Sequence, residues 1–103
     1  MITTAQQLEA ALRDLQPMLA QRFHVRRLGY FGSFATGQPR ADSDVDVLVE
    51  LAHPLGWEFF ELEELLENAL QRRVDLVTVD ALKAQLRPQI LAETQYIAAE
   101  PAA

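Results

Sequence analysis

Hydrophobic residues recur with helical spacing at both ends of the chain. Near the N-terminus, Thr4 and Gln7 form a capping-box pattern that predicts the start of a helix. Leucines then repeat on one face of this helix at Leu8, Leu12, Leu15 and Leu19. Pro17 interrupts the run, and we expect it to kink or restart the helix because proline removes a backbone donor and clashes with the preceding turn. The apolar face predicts packing against a sheet.

Two further helices follow from the same spacing. The second helix of the chain has an apolar face opposite an acidic face. The apolar face carries Phe59, Leu62, Leu66, Ala69 and Leu70. The acidic face carries Glu58, Glu61, Glu63, Glu64 and Glu67. The glutamates either keep the helix soluble or form a docking surface for a basic partner. The last helix is predicted from about Leu82 to Tyr96, with Pro88 near its start or at a break. The tail after Ile97 is expected to fray.

Between these helices, short β-branched runs predict strands. One runs from Leu28 to Phe31, a second from Ser43 to Glu50, and a third from Arg73 to Val79. In the second, alternation sends Val45, Val47 and Val49 to one face, whereas Asp44 and Asp46 point together to the other. Two carboxylates whose bases lie about 6 to 7 Å apart repel each other unless a cation neutralises them. Mg²⁺ or Mn²⁺ is the natural partner.

The first strand ends at Gly32-Ser33, followed by a predicted helical turn that Gly37 stops. Gly32 would let a phosphate approach the backbone, and Ser33 would offer a hydroxyl near the amides of the turn. A Gly-Ser pair or an Asp-x-Asp pair alone is weak evidence. The interpretation depends on their joint spacing.

The combined pattern Gly32-Ser33-x10-Asp44-x-Asp46 resembles the signature of the DNA polymerase β-like nucleotidyltransferase superfamily, and its flanks resemble the minimal nucleotidyltransferase (MNT) branch. The resemblance implies an α+β fold, with a small mixed β-sheet and helices packed against it. It also implies catalysis with two Mg²⁺ ions, Mn²⁺ being an alternative, and ATP as substrate. Asp44 and Asp46 would then hold the metals, and Gly32 and Ser33 the nucleotide.

The resemblance calls for a third carboxylate on a later strand, and Asp75 lies in the predicted third strand. In the family the matching residue completes the metal site and helps to deprotonate the attacking hydroxyl. A structural alternative is an ion pair between Asp75 and Arg72 or Arg73.

One position departs from the family pattern. Many members have an arginine where this chain has Thr36, so a positive charge near the triphosphate is missing. Arg40, in the loop that follows, is our candidate substitute, since a guanidinium can pair with phosphate oxygens.

The MNT branch is similar to antitoxins paired with HEPN-domain ribonuclease toxins, which implies transfer of AMP from ATP to a tyrosine of the toxin. Two alternatives remain open. The chain could neutralise a toxin by binding alone, or it could modify a small molecule such as an antibiotic, as an oligomer that closes the cleft.

Length and composition limit the domain number, the partners and the location that we expect. The 103 residues predict a single domain over 1–103, and the formal charge of −6 argues against direct nucleic-acid binding. The chain has no cysteine, no signal-peptide pattern and no long apolar run, so we expect a cytoplasmic protein without membrane contact. His24 and His53 are assigned no role. Trp57 and Phe60 are core residues, part of a partner surface, or the lining of an adenine pocket.

Overall fold

The computed structural model describes residues 2–97, in which strands and helices alternate along most of the chain. The elements are α1 (Ala5–Phe23), β1 (Val25–Phe31), β2 (Val45–Leu51), α2 (Glu58–Leu70), β3 (Val74–Thr78), a 3₁₀ turn (Val79–Ala81), α3 (Arg87–Glu93) and β4 (Gln95–Tyr96).

The four strands form one sheet in the order β3-β2-β1-β4. β1 pairs antiparallel with both β2 and β4, whereas β2 and β3 are parallel and are joined through α2. A mixed sheet with helices packed against it is the α+β fold that the sequence predicts, and this prediction is confirmed.

α1 begins as predicted and continues further than expected. The Thr4 side chain accepts from the Gln7 amide, and the Gln7 side chain accepts from the Thr4 amide, which completes the capping box. The helix runs through Pro17 without a restart, so the expected restart is wrong, whereas a kink at Pro17 stays a prediction. Leu12 and Leu19 are fully buried on either side of the proline. Their packing on the core holds both segments in one helix despite the missing donor.

Alternating side chains on β2 build much of the core. Val45, Val47 and Val49 are buried on the helix-facing side, together with Leu62, Leu66 and Leu70 of α2. Leu48, on the opposite face, is also buried. Both faces of β2 are therefore buried around the middle of the strand, whereas its alternating sequence predicts one buried face.

The C-terminal part differs from the single helix predicted over Leu82 to Tyr96. Helix α3 spans only Arg87–Glu93, with Pro88 in its first turn, where the missing amide costs no helical bond. The chain becomes extended at Thr94 and adds β4 to the edge of β1, with Gly29 opposite Tyr96. A Cβ on Gly29 would lie 2.8 Å from Thr94 Cγ2, so only glycine admits this approach. The predicted frayed tail lies outside the described residues, and within them no helix is long and apolar enough to cross a membrane.

Candidate active site

The sheet register places two of the predicted acids side by side. Asp46 of β2 is the direct partner of Asp75 on the parallel strand β3, and Phe31, the last residue of β1, pairs with Asp46 on the other side. Neighbouring strands lie about 4.8 Å apart, so the two carboxylates project from the same face at the same level. The structure therefore brings together residues that are 29 positions apart in the sequence.

Asp44 lies just before β2, which begins at Val45 rather than at Ser43 as predicted. The Val45 amide donates to the Arg73 carbonyl at 2.9 Å, which ties the start of β2 to the chain entering β3. Asp44 is exposed, and its charge acts on Asp46. All three acids therefore lie at the same end of the sheet.

The Gly32-Ser33 turn lies directly against these acids. Gly32 has φ +72°, and a Cβ added there would lie 2.0 Å from Asp46 Oδ2. Both facts favour glycine, since an L side chain would be strained in this conformation and its Cβ would force the Asp46 carboxylate to move. The amides of Ala35 and Thr36 donate to the Gly32 carbonyl at 3.1 and 3.0 Å, so residues 32–37 form the predicted helical turn.

Burial and like charge make Asp46 hard to ionise. Burial is the largest cause, followed by the charges of Asp75 and Asp44, a shared hydrogen bond with Asp75 and the charge of Glu93, and together they raise the pKa of Asp46 from 3.8 to about 6. Protonated Asp46 can donate to Asp75, which removes one of the negative charges. A divalent cation would neutralise the same group of acids.

The donor set fits a hard cation because all the side chains offer carboxylate oxygens. Within residues 2–97, however, no three acidic, histidine or cysteine side chains stand in an arrangement that could hold a metal ion. A hydrogen bond to Asp75 is one of the causes that raise the pKa of Asp46. The role of Asp44, Asp46 and Asp75 as metal ligands therefore stays a prediction, and side-chain rotation would be needed to fulfil it.

Arg72 is a site-forming residue that the sequence interpretation missed. Its guanidinium donates to the carbonyls of Ile2 at 2.8 Å, Ser43 at 2.5 Å and Arg40 at 3.2 Å, and it lies 5.1 Å from the ring centre of buried Phe34. These contacts attach the loop before Asp44 to the N-terminus and to the turn after Gly32. The ion pair suggested between Asp75 and Arg72 or Arg73 is absent, since the salt bridges of residues 2–97 are Arg22–Glu61 and Arg27–Glu50.

Glu93, at the end of α3, also reaches the site. Its Oε1 accepts from the Gly32 amide at 2.9 Å. The sequence interpretation placed Glu93 inside a longer helix and gave no reason to bring it near Gly32. The only feature of the sequence that marked Glu93 was its position near the end of a helix with a proline near its start.

The remaining nucleotide-site candidates lie on the turn and its loop. Ser33 is half-buried, and its carbonyl accepts from the Gln38 amide at 2.9 Å. Thr36 Oγ1 donates to the Gly32 carbonyl at 3.2 Å. Arg40 is exposed in the loop that leads to Asp44, and its amide donates to Ser43 Oγ at 2.8 Å. The roles proposed for Ser33 and Arg40 stay predictions.

Trp57 and Phe60 are far from buried, with 83% and 60% of their surface exposed, so the interpretation as core residues is wrong. They lie at the start of α2, which follows the C-terminal end of β2, whereas Asp46 lies at the N-terminal end of that strand. This position does not suit an adenine pocket beside the acids, and a partner surface stays a prediction. A cleft of about 900 Å³ at the C-terminal end of β2 is lined by residues such as Glu50, Thr78 and Asp80, and the three site acids do not line it.

The comparisons with known proteins agree with this geometry. Residues 7–97 match the family described as "Nucleotidyltransferase domain". The chain belongs to this family. A curated relative, the protein adenylyltransferase MntA of Thermococcus cleftensis, is 41% identical over 95 residues, which cover 91% of this chain and 96% of the relative.

Solved structures of nucleotidyltransferases share the fold. A protein assigned to the minimal nucleotidyltransferases superposes with a TM-score of 0.76 at 34% identity, covering 89% of this chain and 94% of that one. A toxin–antitoxin structure with AMP-PNP superposes with a TM-score of 0.68 at 26% identity, covering 94% of this chain and 74% of that one. The MNT antitoxin bound to a tri-AMPylated Shewanella oneidensis HEPN toxin superposes with a TM-score of 0.65 at 23% identity, covering 92% of this chain and 73% of that one. At this level of identity the likeness shows the fold alone. The resemblance to the MNT branch is confirmed.

We predict that Arg72→Ala lowers the free energy of unfolding by about 2 to 4 kcal/mol, because two partly buried carbonyls and one exposed carbonyl lose a charged donor. Urea denaturation measures this change. Arg73→Ala, at the exposed neighbouring position, is the matched control and should change stability by less than about 0.5 kcal/mol. Equal losses in the two variants would contradict the anchoring role of Arg72.

The raised pKa of Asp46 predicts a pH-dependent stability. The folded state binds the Asp46 proton more tightly than the unfolded state does, so the penalty from this group is absent below about pH 4 and complete above about pH 6. In EDTA at pH 8, Asp46→Asn should therefore melt at a higher temperature than the wild type. At pH 4 the two should melt together.

Asp42→Asn, which changes an exposed acid in the same loop, is the control for this melting experiment. A stabilisation by Asp46→Asn that is equal at pH 4 and pH 8 would show that charge at Asp46 is not its cause.

Proposed function

We propose that this nucleotidyltransferase-family protein is a magnesium-dependent protein adenylyltransferase. It acts as the antitoxin of a HEPN-domain ribonuclease toxin and neutralises the toxin by transferring AMP from ATP to a tyrosine side chain. The observation that carries the proposal is the contact of Gly32 with Asp46, which places a phosphate-compatible turn against a row of carboxylates. The 41% identity to an adenylyltransferase named MntA supports the choice of AMP as the transferred group.

The turn and the acids would divide the work of binding ATP. Gly32, which has no side chain, lets phosphate oxygens approach the backbone, and the Ser33 hydroxyl offers a donor to them. Asp44, Asp46 and Asp75 would hold Mg²⁺, with Mn²⁺ as an alternative. When bound, two such ions would neutralise the phosphates and activate the attacking hydroxyl. AMP-PNP in a structurally similar toxin–antitoxin complex supports ATP as the substrate.

Asp75 is the acid best placed to meet an acceptor, because it is exposed whereas Asp46 is partly buried. In the proposed reaction the tyrosine oxygen forms a bond to the α-phosphorus, and the bond between the α-phosphorus and the bridging oxygen breaks. Pyrophosphate leaves with that electron pair, and the hydroxyl proton passes to Asp75. The protein contributes position and charge stabilisation rather than a covalent intermediate.

A protein acceptor suits the charge of the chain better than a nucleic acid does. With 15 acidic and 9 basic side chains, the protein offers little to neutralise a phosphate backbone. The toxin–antitoxin complex that contains a structurally similar protein at 26% identity supports a protein partner. We place the activity in the cytoplasm, where ATP and Mg²⁺ are available.

The decisive experiment is the intact mass of a HEPN-domain protein that forms a complex with this one, after incubation with the protein, ATP and Mg²⁺. We expect the mass to rise by one or more AMP units. Asp44→Asn and Asp46→Asn should abolish the increase, because each removes a metal-binding carboxylate, while Asp42→Asn should retain it. EDTA should also abolish transfer.

A stable complex without any gain in mass would contradict the proposal and favour neutralisation by binding alone. Transfer by both Asn variants at the wild-type rate would contradict the assignment of the site.

Arg40 is proposed to replace the arginine that many family members have at the position of Thr36 and that this chain lacks. Arg40→Ala should weaken binding of AMP-PNP with Mg²⁺ about tenfold, as expected when one hydrogen bond between charged groups is lost. Calorimetric titration measures the affinity. Arg26→Ala, an exposed arginine near the other end of β1, should leave the affinity unchanged, and unchanged affinity in Arg40→Ala would remove Arg40 from the site.

A further inference from the structure

Glu93 completes the hydrogen bonding of β1 beyond the point where strand pairing stops. β4 pairs with β1 through Gly29 with Tyr96 and Tyr30 with Gln95. Continuing this antiparallel register by two residues places Glu93 opposite Gly32. Glu93 is, however, the last residue of α3, so its backbone belongs to the helix. Its side chain supplies the acceptor instead, with Oε1 2.9 Å from the Gly32 nitrogen.

This contact fixes a residue that would otherwise have wide conformational freedom. Gly32 has φ +72°, and glycine populates more backbone conformations than any other residue. The Gly32 carbonyl already accepts from the amides of Ala35 and Thr36. With Glu93 on the amide, the peptide groups on both sides of Gly32 are held, and its Cα stays against Asp46.

The acceptor at position 93 is a charged one, although a neutral group could accept the same hydrogen bond. The charge of Glu93 also acts on Asp46 and adds to the negative charge that a triphosphate must approach. Holding the turn therefore requires the oxygen of Glu93 but not its charge. The difference between needing the oxygen and needing the charge distinguishes a positioning role from a direct role in binding metal or accepting a proton.

We propose that Glu93 is a positioning residue of the nucleotide site, whose carboxylate holds the Gly32 amide so that the Gly32-Ser33 turn presents itself to the phosphates of ATP. The proposal rests on the proposed function for the identity of the nucleotide. It adds α3 and β4 to the elements that build the site, since these set the position of Glu93.

The test compares Glu93→Ala, which removes the acceptor, with Glu93→Gln, which keeps an oxygen at the same distance without the charge. We expect Glu93→Ala to raise the KM for ATP and the Kd for AMP-PNP roughly ten- to a hundredfold, as for loss of a hydrogen bond to a charged group. Glu93→Gln should restore both to within about threefold of the wild type. Gln89→Ala, on the exposed surface of α3, should behave as the wild type.

The KM for ATP separates this role from a merely structural one. A variant that only folds less well loses active protein, which lowers kcat and leaves KM unchanged. The proposal is overturned if Glu93→Ala leaves KM and Kd unchanged, or if Glu93→Gln is as impaired as Glu93→Ala. The latter result would mean that charge at position 93 is what the site needs.

Failure of the proposed function can be recognised separately. The hydrogen exchange of the Gly32 amide, measured by NMR without nucleotide, should accelerate in Glu93→Ala and stay slow in Glu93→Gln. If the wild type transfers no AMP to its partner, the proposed function fails. Amide exchange and the affinity for AMP-PNP would still decide whether Glu93 positions the turn.

Discussion

The space between Gly32 and Asp46 constrains the whole site. A single methyl group on Gly32 would overlap the Asp46 carboxylate, and the φ of +72° would strain any L side chain, so the close approach of the end of β1 to Asp46 favours glycine at that position. The antiparallel register of β1 with β2 brings the two residues together, and the parallel register of β2 with β3 adds Asp75. A small mixed sheet thus places a flexible phosphate-compatible turn against acids from two other segments of the chain.

The same arrangement opposes the stability of the fold. Burial and like charges raise the pKa of Asp46 to about 6, and Glu93 adds a further negative charge that acts on it. These acids lie beside a well-packed core, in which Val45 and Val47 are fully buried. The core tolerates a strained polar end because each valine alternates with a residue on the other face of β2. A cation would remove this repulsion, which links stability to binding.

The family resemblance predicted the fold class and the need for a third carboxylate near the first two. Alternation in Asp44-Val45-Asp46 placed two carboxylates on one face of a strand, and the β-branched run around Asp75 marked a strand. That these two strands are neighbours was implied by the resemblance, and the register of β2 with β3 agrees with it. Arg72 could not be predicted because its partners are backbone carbonyls distant in sequence. Glu93 was missed because a two-residue strand such as β4 has no detectable period. Trp57 and Phe60 were wrongly included among core candidates, since an apolar residue at the head of a helix carries no signal of exposure.

The central claim is that the Gly32-Ser33 turn and the acids form one site for a nucleotide and its metal. The most direct measurement is the affinity for AMP-PNP by calorimetry, with Mg²⁺ and with EDTA, in the wild type and in Asp46→Asn. We predict that AMP-PNP binds at least tenfold tighter with Mg²⁺ than with EDTA in the wild type, as expected when a cation bridges phosphate and carboxylate, and that the variant shows no such difference. Equal affinity with and without Mg²⁺ in the wild type would contradict it.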